Sequence, residues 1–284
     1  MNQKELNLIL DDVKSFPSMP AAALKLLALL KDENSSNAQI EQILRYEPGL
    51  TANILKITNS AFFGLPKQIG SIRQSILMIG WKKLIQIVLT SCVNAIIDKP
   101  VQGYELSPGD LWQHSIAVSV ASEIMVKELN LSVSEEVFTA ALLHDVGKMV
   151  LGRYVKNDIV AIDREELQDV PFEQVERRIF GIDHAEIGAN ILRRWSFPPS
   201  MVTAVRWHHD PDGAPKTSQL IDVVHLADVL CLMSGIGVGR EGLQYRPSPA
   251  ACERIGLTEA HLEKVASQTL QCANQIAASI QADS

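Results

Sequence analysis

The sequence predicts an all-α fold, on three observations. Apolar residues recur at three- and four-residue intervals along nearly every segment. No run of alternating apolar and polar residues is long enough to read as a strand. Serine capping boxes and Pro or Gly breaks punctuate the apolar stretches at helix-length intervals.

Pro20 opens AAALKLLALLK, rich in the two best helix formers. Ser36 and Gln39 stand at capping-box spacing and start a helix through Arg45. Pro48 and Gly49 break the chain and begin LTANILKITNSAFF, which Gly64 and Pro66 end. The pair Phe62 and Phe63 reads as a core plug there. Ser71 and Gln74 repeat the capping-box spacing and lead into SILMIG, then WKKLIQIVLTSCVNAII. Residues 1–100 are thus expected to form an N-terminal lobe of five or six short helices, with Arg73, Lys82 and Lys83 on its solvated face.

Residues 98–107 (DKPVQGYELS) are polar, contain Pro and Gly, and read as a hinge. Ser107, Pro108 and Asp110 then predict a helix start with Ser107 as cap, running through Leu129. Further helices are expected from Ser134 to about Leu151, Asp183 to Trp195, Pro199 to near His209, and Ser218 to Leu232. These make residues 101–235 a second helical lobe. Residues 236–284 are expected to be a loop followed by an amphipathic helix, Leu257 to Ile280, packed on that lobe.

Charge divides along the chain. The first hundred residues hold 11 Lys/Arg against 8 Asp/Glu, the remainder 15 against 25. The acidic excess argues against a phosphate-backbone surface in the second part, so nucleic acid is not expected as a partner. Four cysteines (Cys92, Cys231, Cys252, Cys272) form no CxxC pair and read as buried small hydrophobes of a reducing compartment. The start MNQKELNLIL lacks a cleavage site and reads as no signal peptide. The apolar stretch Leu84 to Ile97 is interrupted by Gln86, Thr90, Ser91 and Asn94 and reads as a buried helix, so no membrane span and a cytoplasmic location are expected.

The histidines carry the chemistry. None precedes His114, and six of the seven fall between His114 and His225. His114, the pair His144–Asp145, His184, the pair His208–His209, and Asp228 all lie on or at the ends of expected helices. Adjacent residues on a helix project about 100° apart, so both members of a pair reach one ion only in a cleft between helices, as bundle cores provide. A nitrogen and oxygen donor set without thiolate suits one or two divalent transition ions, Fe, Mn, Ni or Zn, over Ca or Mg. Asp110 reads as a cap residue, His225 as a packed or ligand-orienting histidine on the face of Asp228, and His261 carries no assignment.

The order H … HD … D, filled by His114, His144–Asp145 and Asp228, resembles the signature of the HD superfamily of metal-dependent phosphohydrolases. With His184, His208, His209 and the string LLHDVGK, the set is similar to its HD-GYP phosphodiesterase branch. Across residues 14–235 the chain resembles the HDOD family, HD-related output domains of bacterial signalling proteins, through FPSMPAAALKLLALL, EPGLTANILKITNSAFFG and IGWKKLIQIVL. The resemblance implies a signal-transduction output protein with a protein partner. Many HDOD domains have lost their metal ligands, and this one keeps them. The segment HHDPDGAPKTS lacks the Gly-Tyr pair of the HD-GYP loop, which speaks against cyclic di-GMP specificity.

The alternative reading is an active phosphohydrolase or phosphodiesterase acting on a nucleotide or cyclic nucleotide. In it Asp145 bridges two ions and orients a metal-bound hydroxide. Lys148 offsets charge on a phosphate oxygen, and His208 or His209 binds the second ion or protonates the leaving group.

Overall fold

The computed structural model describes residues 3–29, 36–44, 47–59, 63, 65, 67–133, 136–166, 170–240 and 244–281. Every regular element among them is helical, apart from one isolated bridge between Val101 and Leu106. Arg45, Phe62, Gly64, Pro66 and Ser134, each given a role above, lie outside the described residues; Phe63 is half-buried. The chain divides into two compact units, residues 1–17 with 97–269 and residues 18–96 with 270–284.

The first helix, α1 (Gln3–Ser15), belongs to the larger unit, whereas the sequence reading groups it with the N-terminal lobe. Ile9 and Val13 are buried. Arg194 Nη1 donates to Val13 O and Phe16 O (2.7 and 2.8 Å), and Trp195 Nε1 donates to Pro17 O at 3.1 Å. Those three bonds fix the segment against the larger unit.

The smaller unit contains α2 (Ala21–Leu29), α3 (Asn37–Leu44), α4 (Pro48–Thr58), α5 (Ile72–Ile79) and α6 (Trp81–Ile97), whose last residue falls in the larger unit. Leu26, Ile40, Leu44, Ile54, Leu84, Ile85 and Leu89 are among its fully buried residues. The first capping box forms both ways: Gln39 N donates to Ser36 Oγ and Ser36 N to Gln39 Oε1. In the second, Gln74 N donates to Ser71 Oγ, and the Gln74 side chain reaches one residue further, to Gly70 N. Helices α5 and α6 turn by 118° at Gly80, whose φ of +82° few other residues adopt. Arg73 and Lys82 are exposed and Lys83 is half-buried. Among the described residues no single helix is long and apolar enough to cross a membrane.

The larger unit is built around α7 (Asp110–Glu128), which packs on α8 (Val137–Leu143) and α14 (Gln219–Met233). Every residue of α14 from Leu220 to Leu232 is buried. A helix buried on all sides has no polar face, so its apolar run marks the centre of the bundle. Around this core lie α9 (Lys148–Asn157), α10 (Ile159–Glu166), α11 (Phe172–Phe180), α12 (His184–Arg194), α13 (Pro199–Trp207) and α15 (Pro249–Ile255). The last helix, α16 (Glu259–Gln281), belongs to the larger unit as far as Thr269 and to the smaller beyond it.

Two expectations are corrected. Ser107 is not the cap of α7. The helix begins at Asp110 behind Gly109, whose φ is +86°, and the Asp110 carboxylate reaches back to accept from Ser107 N at 2.7 Å. The helix expected from Ser134 to about Leu151 is two helices, α8 and α9, separated by the turn 144–147. Of the cysteines, Cys92 and Cys231 are buried, Cys252 and Cys272 only half-buried, and all four are free thiols.

Candidate metal centre

The break between α8 and α9 is what builds the site. At Gly147 an added Cβ would lie 1.9 Å from His184 O and 2.7 Å from Gly188 N. Only glycine lets the turn rest directly on the first turn of α12. The His144–Asp145 pair, released from a continuous helix, therefore faces His184. His184 itself opens α12, whose cap Asp183 accepts from Glu186 N at 2.7 Å. His208 and His209 follow the end of α13, His114 lies early in α7, and Asp228 lies within α14.

All seven candidate ligands converge. Asp145 Oδ2 lies 3.3 Å from His144 Nε2 and 3.7 Å from His114 Nε2. Asp145 Oδ1 lies 3.4 Å from His184 Nε2 and 3.7 Å from His208 Nε2. Asp228 Oδ1 lies 3.0 Å from His114 Nε2 and 3.5 Å from His144 Nε2, with Oδ2 3.7 Å from His209 Nδ1. Donor atoms of Asp145, His184, His208 and His209 fall within 4.8 Å of one another, as do those of His114, His144 and Asp145, and of His144, His208 and Asp228.

The tautomers can be read from the outer partners. His144 Nδ1 faces Ala141 O and His208 Nδ1 faces Val205 O, each at 2.7 Å, and His114 Nδ1 faces Ile236 O at 2.9 Å. A carbonyl only accepts, so each Nδ1 donates and each Nε2 directs a lone pair inward. His114 Nε2 then meets Asp228 Oδ1 as acceptor against acceptor unless a proton or a cation lies between them. Five buried atoms here have no hydrogen-bond partner: His144 Nε2, Asp145 Oδ1, His208 Nε2, His209 Nδ1 and Asp228 Oδ2. Distances of 3.3 to 3.7 Å are longer than well-formed hydrogen bonds, and unpaired buried acceptors are rare. The arrangement fits a divalent cation.

The electrostatics agree. Burial pushes the His208 imidazole down to about 4 and His209 well below its usual value, so both are neutral ligands near neutral pH. Burial opposes charge on Asp145 and Asp228, yet His144 and Lys148 beside the first, and His114 and His144 beside the second, hold both carboxyls well below the usual range. Burial likewise works against a proton on His144, but Asp145 and Asp228 draw one there and raise it to about 10. A positive charge belongs at this point, as proton or as metal.

Lys148 donates to Asp145 Oδ2 at 2.6 Å and lies over the Tyr104 ring, 5.6 Å from its centroid. It is buried, with its ammonium on Asp145. Asp110 is half-buried and is the first residue of α7 rather than its cap, with its carboxylate accepting from Ser107 N. His225 lies outside the ligand cluster, with Nδ1 donating to His208 O at 2.7 Å and Nε2 accepting from Ser248 N at 3.0 Å. It thereby orients the ligand pair. His261 exchanges hydrogen bonds with Thr258, far from the cluster in sequence, and has no part in the site.

Glu176 and its partner Tyr104 have no place in the sequence reading. Glu176 is fully buried and accepts from His184 N and His184 Nδ1, both at 2.8 Å, and from Tyr104 Oη. It orients His184 as the carbonyls orient the other imidazoles. A signal existed: Glu176 stands four residues after Phe172 and four before Phe180, on the face those phenylalanines bury.

A cavity of about 610 Å³ adjoins the cluster, with His209 in its wall. Tyr245 stacks on His209, ring centroids 4.3 Å apart at 10°. Glu173, also in the wall, has its carboxyl pushed up to about 7 by burial.

The HDOD domain profile matches residues 16–211 of the chain. Among solved structures, the chain is similar to a candidate signal transduction protein from Marinobacter aquaeolei VT8, with a TM-score of 0.77, 18% identity, and coverage of 95% of this chain and 61% of that one. It is similar also to a candidate phosphohydrolase from Shewanella amazonensis SB2B, with a TM-score of 0.72, 21% identity, and coverage of 96% and 97%. At such identities the likeness is one of fold. Ribonuclease Y from Thermus thermophilus is 33% identical over 147 residues, which are 51% of this chain and 20% of that protein. The chain spans less than half the length of the curated relatives it matches.

Proposed function

The chain belongs to the HDOD domain family of the HD-related superfamily, and from that premise we propose a bacterial signal-transduction protein whose larger unit holds a divalent transition-metal centre. One observation carries this reading: the two oxygens of Asp145 face separate sets of imidazoles, amid five buried donor atoms with no partner. The donor set suits Fe, Mn, Ni or Zn. His114, His144, Asp145 and Asp228 would hold one ion, and Asp145, His184, His208 and His209 a second. Lys148, by donating to Asp145 Oδ2, keeps that carboxylate charged and turned toward the cluster. The smaller unit carries none of this chemistry and is assigned to contact with a protein partner; α5 exposes Leu77 and Met78 there. The test is elemental analysis of the purified chain. One or two transition ions per chain, lost in Asp145→Ala, are expected; a chain without stoichiometric metal overturns the reading.

A second reading, turnover of a phosphoester, is favoured by the cavity, which opens on His209 and has Arg177, Arg206 and Arg246 in its wall. A metal ion bound here would supply Lewis acidity and a water of lowered pKa. The chain's own part would be to bind and orient: guanidinium groups suit phosphate oxygens, and the outer bonds of the imidazoles fix the geometry around Asp145. Hydrolysis of bis-p-nitrophenyl phosphate by Mn- or Fe-loaded protein, lost in His144→Ala, is the expected result. Absence of turnover on that substrate and on a nucleotide panel overturns this second reading and leaves the first standing.

A further inference from the structure

We propose that α1 is a clasp that reads the metal centre: it docks across α9 and α12 when the centre holds metal, and it detaches when metal is lost. The inference rests on the metal-centre reading above and adds regulation to that site.

Both helices under α1 begin at the metal centre. Lys148, the first residue of α9, donates to Asp145 Oδ2 at 2.6 Å, and His184 is the first residue of α12. Asp145 Oδ1 faces His184 Nε2 at 3.4 Å, beyond a well-formed hydrogen bond. A cation held by both residues fixes the spacing between the starts of α9 and α12. Each helix is a stiff rod about 15 Å long, so the spacing carries to the positions where α1 lies. There, adjacent residues of α1 bond to different helices. The Asp12 carboxylate pairs with Arg153 and accepts from Tyr154 Oη, both of α9, while Val13 O accepts from Arg194 of α12. Both sets of bonds form only when the two helices stand in register.

The clasp is lightly held. Within α1 only Ile9 and Val13 are buried, and Leu8 is 51% exposed. At its amino end Glu5 faces Asp158, the residue after α9; burial and that like charge raise the Glu5 carboxyl. A helix of 13 residues is marginal in water without a partner, so α1 once detached is also unfolded. That makes it a two-state element, ordered or disordered, of the kind that switches use. Beyond Pro17 the chain enters the smaller unit at Ser18, so the segment leading into that unit is ordered or loose according to the metal centre.

Hydrogen–deuterium exchange of the full chain, Mn-loaded and chelator-stripped, tests this, with metal content measured on both samples. Backbone amides of α1 are expected to exchange about fivefold or more slowly with metal, while those of α10, which carries none of the ligands, exchange alike in both. Coupling of this kind is reciprocal. Asp12→Ala and Arg194→Ala, neither of them at a ligand, should each weaken metal binding about fivefold or more in competition with a fluorescent chelator. Circular dichroism checks that the variants fold, and either one suffices where the other does not. A loaded chain whose α1 exchanges as in the stripped chain overturns the inference. So does equal slowing of α1 and α10, which is global stabilisation, or unchanged affinity in a folded variant. A chain that takes up no metal overturns the metal centre itself, and this inference with it.

Discussion

Asp145 turns Oδ1 toward His184, 3.4 Å from its Nε2, and keeps Oδ2 for His144 and His114. A carboxylate so placed is shared between two ligand sets, and its removal should cost both. Asp145→Ala is expected to lose all bound metal, while His209→Ala, which touches one set, should retain about one ion per chain. Plasma mass spectrometry of the purified variants reads this directly. Equal metal loss in both would show a single, indivisible centre.

Glu176 fixes His184 by accepting from its backbone and its ring. Such outer partners typically account for about 10- to 100-fold in metal affinity. Glu176→Gln places an amide donor where His184 and Tyr104 already donate, so affinity in a competition with a fluorescent chelator should fall by that order. Circular dichroism should stay unchanged, since no apolar packing is removed. Full affinity in the variant would assign Glu176 to stability alone.

The turn at Gly147 leaves no room for a methyl group, because the atoms in its way are backbone atoms of α12. Gly147→Ala should destabilise the larger unit by about 3 kcal/mol, and urea unfolding measures it. Gly49 has nothing within 4 Å of an added Cβ, so Gly49→Ala serves as the control and should leave the midpoint nearly where it was.

Glu173 gives a pH dependence. Burial raises its carboxyl from 4.5 in the unfolded chain to about 7 in the folded one, with Glu176, His184 and Tyr245 as its charged and polar neighbours. The folded state then holds the proton more tightly, so stability is full below pH 4.5 and declines as pH climbs to about 7. The loss is on the order of 3 kcal/mol at most. Thermal unfolding in the presence of a chelator, between pH 4.5 and 8, should show this decline in the native chain and a flatter profile in Glu173→Gln. Parallel profiles would place the titration elsewhere.

The all-α class and most helices of the larger unit are legible because their signals are local. Asp183 caps α12 and Ser218 caps α14, both at positions read from neighbouring residues. The seven metal-ligand candidates are legible from residue type and spacing. The break at 144–147 is not, since LLHDVGKMVL keeps helical periodicity straight through it; the interruption comes from α12 pressing on Gly147, a contact between residues 37 apart in sequence. Helix α1 escaped the reading because only Ile9 and Val13 bury, against a distant partner. Glu173 and Glu176 look like ordinary surface glutamates until their phenylalanine neighbours are known to point inward.

Three of the imidazoles are aimed by main-chain oxygens, those of Ala141, Val205 and Ile236. Every residue carries such an oxygen, so drift at those positions leaves the aim of His144, His208 and His114 untouched. His184 alone among the four is aimed by a side chain. A lineage in which the centre falls out of use can therefore detune it by one codon change, at position 176, without disturbing the fold's main-chain framework.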